Sequence, residues 1–290
     1  MRVIGLPDSM TMKNFSTGVF AAGLIGIAGI LPASAELPSM SEKDWLGYFV
    51  GVKNRSFVFG ITPDGKATIK VLNDKGEPVS LKLTIQVDFR IEETMPDGKV
   101  IGRAMKPESL ESAQAATIKP KDVVFKGLVT GDIGFEVFVT EERGGISLGG
   151  RLLDPGALKN PTRFCITTKI PNAYPDVKVD EDKKSKKAFE DKIKGDRVQV
   201  SRTDGKREKI PMAKPVAGDS PEVTGPGLSG VQIDASSFSG RKIEFSASPN
   251  SSIALTNPSK QPLGDGFNLV WKADPAKDPE GKARLQIGVK

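Results

Sequence analysis

The chain contains no histidine. That absence removes the commonest general base, a frequent zinc ligand and the side chain that titrates nearest neutrality. Serine hydrolysis through a Ser-His-Asp triad is therefore excluded. There is a single cysteine, Cys165, so no disulfide can form within the chain. Aromatic side chains with a polar edge are few: two tryptophans, Trp45 and Trp271, and two tyrosines, Tyr48 and Tyr174. A membrane-spanning barrel needs aromatic girdles at both interfaces, and four such residues are too few to build them. Nor is there an apolar run of the roughly 20 residues that a transmembrane helix requires.

The longest apolar run covers residues 19–31, thirteen residues without a charge. Lys13 precedes it, and Pro32-Ala33-Ser34-Ala35 follows. A positive start, a short apolar stretch and a small-residue Ala-x-Ala site are the three parts of a secretory signal peptide. Cleavage between Ala35 and Glu36 takes 35 of the 290 residues and leaves 255. Met10 or Met12 is a sufficient initiator for such a signal. The expectation is export to the periplasm or the extracellular space, with no transmembrane segment in the mature chain.

The net charge of +6 is concentrated. Residues 183–214 hold twelve Lys or Arg against five Asp or Glu. Phe189 is the only aromatic among them, whereas nucleic-acid surfaces interleave aromatics with cations. The pattern predicts a solvated charged helix and hairpin and no nucleic-acid partner. An anionic envelope polymer or an envelope protein is the partner that the patch suits.

Alternation with period two dominates the rest. Leu81, Leu83, Ile85, Val87, Phe89 and Ile91 take the odd positions of 81–91, and Lys82, Thr84, Gln86, Asp88 and Arg90 the even ones. That places every apolar group on one face of a strand and leaves the other wet, the mark of an antiparallel sheet. Asp-Gly turns at Asp64, Asp97 and Asp204 predict hairpins pairing 56–62 with 66–72, a strand ending near 93 with 99–105, and 197–202 with 206–211. Further strands are expected at 123–129, 134–140, 144–153, 162–170, 230–234, 241–246, 266–272 and 283–289. Helix is expected over 180–194, with short turns within 107–114 and, through a Ser39-x-x-Glu42 capping box, ahead of Trp45.

The predicted fold is an all-β antiparallel sandwich, read as two packed β subdomains with one short charged surface helix. Residues 36–210 form the first, with a charged excursion at 176–194. The Pro- and Gly-rich stretch 211–230 is a linker or loop, and 231–290 the second subdomain.

Motifs carry little chemistry. Gly145-Ile-Ser147-Leu-Gly149 matches a nucleophile elbow but has neither a histidine partner nor a following helix. Gly225-Pro-Gly227-Leu-Ser-Gly230 matches a dinucleotide fingerprint but lies in the Pro-rich loop and leads into a strand. Ser239-Gly-Arg-Lys242 matches Ser-x-x-Lys but reads as a turn entering a strand. Asp176, Asp180, Glu181 and Asp182 are followed by Lys183 and Lys184, which repel a cation; Asp274, Asp278 and Glu280 make a better loop for one. Neither a catalytic residue, a metal site nor a cofactor is assigned.

The alternation places Cys165 opposite the face of Phe164, Ile166 and Ile170, as a partly buried thiol; an intermolecular disulfide is the alternative. The residues suited to a binding surface are Trp45, Tyr48, Lys183, Lys184, Lys186 and Lys187. The function expected is a non-catalytic binding or structural module of a bacterial envelope. Two alternatives are a glycan-active enzyme working through a carboxylate pair, and a lipid carrier with an apolar cavity.

Overall fold

The computed structural model describes residues 36–175, 182–215, 227–257 and 261–290. The expected signal peptide at 1–35 lies outside these, as do Asp176, Asp180, Glu181 and most of the Pro-rich stretch. From Ala35 onward the chain forms one compact unit.

Among the described residues the fold is all-β and antiparallel, with one α-helix. Sixteen strands make one strongly curled sheet. In chain order they are β1 (Val50–Lys53), β2 (Phe57–Ile61), β3 (Ala67–Val71), β4 (Ile85–Thr94), β5 (Val100–Ala104), β6 (Val123–Val129), β7 (Ile133–Glu142), β8 (Gly145–Asp154), β9 (Thr162–Ile170), β10 (Arg197–Arg202), β11 (Arg207–Pro211), β12 (Leu228–Asp234), β13 (Lys242–Ala247), β14 (Ser251–Thr256), β15 (Phe267–Ala273) and β16 (Leu285–Val289). Helix α1 (Lys183–Ile193) lies between β9 and β10.

One hydrogen-bonded path runs β1-β2-β3-β4-β9-β15-β14-β12-β13-β16-β8-β7-β6, with β5 beside β4 and β10 between β11 and β12. Its weak point is the β14–β12 junction, held by the Leu228–Ile253 pair. There the sheet turns on itself, so β1–β4, β9, β15 and β14 form one layer and β10–β13, β16 and β8–β6 the other. A chain of ring contacts crosses between them: Phe49 to Phe125, Phe125 to Phe89, Phe89 to Phe164 and Phe164 to Phe135, with centroids 5.7–6.4 Å apart. All five rings are buried, and fully burying one such side chain contributes about 2–3 kcal/mol. The boundary expected at 211–230 is bridged by strand pairing, since β15 joins β9 and β16 joins β8.

The three Asp-Gly turns form as expected, with Gly65, Gly98 and Gly205 at φ 79°, 82° and 86°. Each aspartate also accepts the amide of the lysine two residues on: Lys66 at 3.5 Å, Lys99 at 2.9 Å and Lys206 at 3.0 Å. The recurrence of Asp-Gly-Lys is this one turn device used three times.

The expected strand at 81–91 is corrected at its start. Leu81–Leu83 is a 3₁₀ turn, and Leu81 is 72% exposed instead of joining the core. The Ser80 hydroxyl accepts the Lys82 amide, and the Thr84 hydroxyl donates to the Leu81 carbonyl, so local side-chain bonds outcompete the ladder. The strand runs on to Thr94 instead. Its first half pairs with β3 and its second with β5, while β9 covers the opposite edge of both.

Helix α1 starts where Asp182 caps it, accepting the amides of Lys184 and Ser185. The capping box expected ahead of Trp45 does not form. Lys43–Trp45 is a 3₁₀ turn, and no side chain caps it.

Candidate functional site

The outer face of the first layer carries the two features with recognition chemistry. The first is aromatic. Gly51 of β1 and Gly60 of β2 stand directly opposite each other, and both point outward because Val50, Val52, Phe59 and Ile61 point into the core. The Trp45 ring lies over Gly51 and the Tyr48 ring over Gly60, each so close that an added Cβ would collide with it. The rings meet edge to face with centroids 5.7 Å apart and stay half-buried. Leu46, between them in sequence, is 70% exposed. Two glycines thus make a flat floor on which an aromatic pair presents its free edge to solvent.

The second feature is ionic, and reading the sequence did not find it. Glu92 of β4 is buried on the same outer face. It receives Arg90 Nη2 at 2.7 Å, Lys272 Nζ at 2.8 Å and Arg163 Nη2 at 3.3 Å. Three strands supply these groups, and the register brings them together: Glu92 is opposite Arg163, and Arg90, Cys165 and Lys272 share one cross-strand row. Burial alone would raise the Glu92 carboxyl, but hydrogen bonds and charge from Lys272 and Arg90 hold it at about 2. The cluster therefore carries two positive charges in excess at neutral pH.

Cys165 lies under this cluster and is 0% exposed, more deeply covered than the alternation implied. Burial, and then the neighbouring Glu92 charge, push its thiol up to about 12, so it remains protonated. Bonding to a second chain would require the cluster above it to open.

Open space adjoins the cluster. A groove of about 510 Å³ is lined by Arg163, Lys272, Lys277, Asn250 and Ser252, among others. On the other layer a groove of about 540 Å³ is lined by Glu111, Gln114, Lys126 and Glu136. There the cross-strand row reads Glu111, Lys126, Glu136, Arg151, with alternating charge. Glu136 is buried and paired with Arg151 Nε at 2.8 Å and Lys126 Nζ at 3.7 Å.

Glu92 and Glu93 point to opposite faces, as adjacent strand positions must. Glu93 is held by Arg103 and by Asn160 Nδ2 at 2.7 Å, and these bonds keep its carboxyl below the usual range.

Lys183, Lys184, Lys186 and Lys187 are all exposed on α1. The helix is fastened by Ile193 and by Phe189, which meets Tyr174 edge to face at 5.2 Å. Below it Asp196 accepts the Tyr174 hydroxyl, the Ser236 amide at 3.0 Å and the Ser236 hydroxyl at 2.9 Å. The four lysines and the Trp45–Tyr48 pair thus belong to separate elements, α1 and the β1–β2 edge.

The sequence motifs resolve into backbone. Ser147 is buried within β8, opposite Thr140 and Gln286, with no elbow around it. Gly227 leads into β12, and Ser239 ends a 3₁₀ turn with φ 55°. Asp278 accepts the amides of Lys282 and Ala283, both at 2.7 Å, while Asp274 and Glu280 pair with Lys277 and Lys282. Among the described residues no group of three metal-ligating side chains converges, and no helix is long and apolar enough to cross a membrane.

No protein-family model matches the sequence, and no curated protein does. Among solved structures the chain is similar to an α-N-acetylgalactosaminidase, NagBb of Bifidobacterium bifidum, in its GalNAc complex, with TM-score 0.52 and 11% identity. A second complex of that enzyme, with Gal-NHAc-DNJ, gives TM-score 0.49 and 9% identity. The match covers 83% of this chain and 36% of the enzyme chain, so this chain spans about a third of its neighbour's length. At that identity the likeness concerns the fold alone.

Proposed function

We propose that the chain is an exported, non-catalytic binding module of a bacterial cell envelope, acting in the periplasm or outside the cell. The observation that carries this reading is the Trp45–Tyr48 pair seated on the Gly51–Gly60 floor. Rings seated on a rigid sheet, with a neighbouring leucine 70% exposed, keep apolar surface in water that a purely structural edge would cover. Rigid aromatics lose little conformational entropy when a ligand docks, which suits them to recognition. The buried carboxylates are engaged structurally: Glu92 and Glu93 are held below the usual range, where neither can serve as a general acid near neutrality.

Tryptophan fluorescence tests the reading, because the two tryptophans differ. Trp45 is half-buried and Trp271 is 1% exposed. A ligand from isolated envelope polysaccharide is expected to shift the Trp45 signal, and Tyr48→Ala, which keeps that fluorophore, is expected to weaken binding about tenfold by fluorescence and calorimetry. Binding that is unchanged in Tyr48→Ala and, by calorimetry, in Trp45→Ala sinks the reading.

A second reading has one observation in its favour. Glu111 and Glu136 face the same 540 Å³ groove, two ladder spacings apart, about 10 Å between backbones. Paired carboxylates in a groove are the requirement for glycoside cleavage, and the similar solved structure is a glycosidase. Release of reducing sugar from envelope glycan, lost in Glu136→Gln, would favour it over the binding module.

The lipid-carrier alternative has less support. Its apolar cavity would have to occupy the space that the five phenylalanines between the layers fill.

A further inference from the structure

We infer that the outer face of the β1–β4, β9, β15, β14 layer is a recognition face for an acidic, uronate-bearing polysaccharide, with the Arg90–Arg163–Lys272 cluster as the seat for its carboxylate. This rests on the binding-module reading and names its ligand class.

Three observations converge on it. The first is charge. The outward strand positions of this layer hold six cations, Lys53, Lys70, Arg90, Arg163, Lys169 and Lys272, against two carboxylates, Asp88 and Glu92. One of the two, Glu92, is already saturated by three cations.

The second is geometry. Arg90, Arg163 and Lys272 are each about a quarter to a third exposed, while the Glu92 that gathers them is buried. The cations are thus fixed from beneath and open from above. Each arginine already gives its Nη2 to Glu92, and its remaining charge is what an incoming carboxylate would meet. The adjoining groove of about 510 Å³ adds the Lys277–Asp274 ion pair, neutral in sum, and the polar side chains of Asn250 and Ser252. A few polar groups aimed into an open groove suit sugar hydroxyls better than acyl chains.

The third is alignment. Gly51, Gly60, Thr68, Gln86 and Lys169 form one continuous cross-strand row. Lys169 is four residues along β9 from Cys165, under the cluster. Ladder spacings of about 4.8 Å and a rise of about 3.3 Å per residue place the cluster about 19 Å from the aromatic floor on the same face. That span is several sugar units long. One acidic chain can lie on the rings at one end and on the cations at the other, which favours a polysaccharide over a lipid headgroup. The basic helix α1 is not part of this face.

The experiment is titration of the full chain at pH 7 with polygalacturonate, neutral dextran and phosphatidylglycerol vesicles, read by Trp45 fluorescence and calorimetry. Polygalacturonate is expected to bind at least tenfold more tightly than dextran and to weaken roughly tenfold between 50 and 500 mM salt. Arg163→Gln and Lys272→Met are each expected to lose about tenfold, and Lys186→Gln with Lys187→Gln to change little. Should Arg163→Gln or Lys272→Met fail to fold, Lys70→Gln with Lys169→Gln removes charge from the same face without touching Glu92, and is expected to lose about threefold. Unchanged polygalacturonate binding in these variants overturns the inference, and so does binding to the vesicles alone. Equal binding of dextran and polygalacturonate through Trp45 overturns the acidic preference while leaving the binding module standing. Absence of any Trp45 response to envelope glycan overturns the module itself.

Discussion

Gly51 and Gly60 face each other across β1 and β2, and their missing side chains are what let the Trp45 and Tyr48 rings pack directly onto the sheet backbone. A strand glycine weakens its own ladder, having no side chain to pack and more backbone freedom to lose. Two of them in register make sense as a floor. Gly60→Val is expected to lift the Tyr48 ring and cost about 1–3 kcal/mol in urea unfolding, because the displaced ring has no other seat. Gly51→Val is expected to move Trp45 into solvent, seen as a red shift of emission with far-ultraviolet circular dichroism unchanged. Unaltered emission would show that the ring is not held by this floor.

Glu92 sets an acid limit on stability. Its folded carboxyl titrates at about 2 against an ordinary 4.5. A depressed carboxyl stabilises the fold above its unfolded value and loses that contribution as pH falls through its folded one. Up to about 3 kcal/mol is therefore expected to be present above pH 4.5 and to disappear between pH 4.5 and 2. Glu92→Gln leaves three cations without their counter-charge, is expected to cost about 2–3 kcal/mol at pH 7, and should flatten the acid limb of the stability curve. Urea unfolding at pH 7, 4.5, 3 and 2 on both chains measures this. An acid limb unchanged in Glu92→Gln would assign the effect to other carboxylates.

Cys165 provides a reporter for the same layer. With its thiol pushed up to about 12 and 0% exposed, it should resist Ellman's reagent and iodoacetamide at pH 8 in the folded protein and react at once in denaturant. Non-reducing electrophoresis should show a monomer band. Rapid labelling of the native chain, or a reducible dimer, would mean that the cluster above it opens.

The β character was legible because period-two alternation reports directly on which side chains a sheet can bury. Residues 85–91 show it undiluted, with Ile, Val, Phe and Ile alternating with Gln, Asp and Arg, and the strands expected at 123–129 and 162–170 form with those limits. Two strands left no such signal. In β1, Val-Gly-Val-Lys places a glycine where a polar residue would complete the alternation, and β14 opens with two serines. The ionic cluster was illegible for a different reason. Arg90 and Glu92, Arg163 and Lys272 are separated by roughly 70 and 110 residues, and only the register of three strands makes them neighbours. Charge counted along the chain pointed instead to α1, where the lysines are merely consecutive. The helix itself could be read from its sequence, yet what fastens it, Asp196 beneath Tyr174 and Ser236, is tertiary.

Asp196 should accordingly decide whether α1 stays docked. Three donors converge on its buried carboxylate: the Tyr174 hydroxyl, the Ser236 amide and the Ser236 hydroxyl. Burial and that carboxylate raise the Tyr174 hydroxyl well above its ordinary value, so it stays a donor at any pH at which the fold survives. Asp196→Ala leaves these donors unsatisfied, and a buried donor without a partner costs about 1–3 kcal/mol. The expected result is loss of Tyr174–Phe189 packing and faster proteolysis at Lys192 and Lys194, while the sheet, which does not depend on α1, keeps its circular dichroism. Asp196→Asn, which retains one acceptor, should fall between. If trypsin cuts the Ala variant no faster than the wild type, Ile193 and Phe189 alone hold the helix.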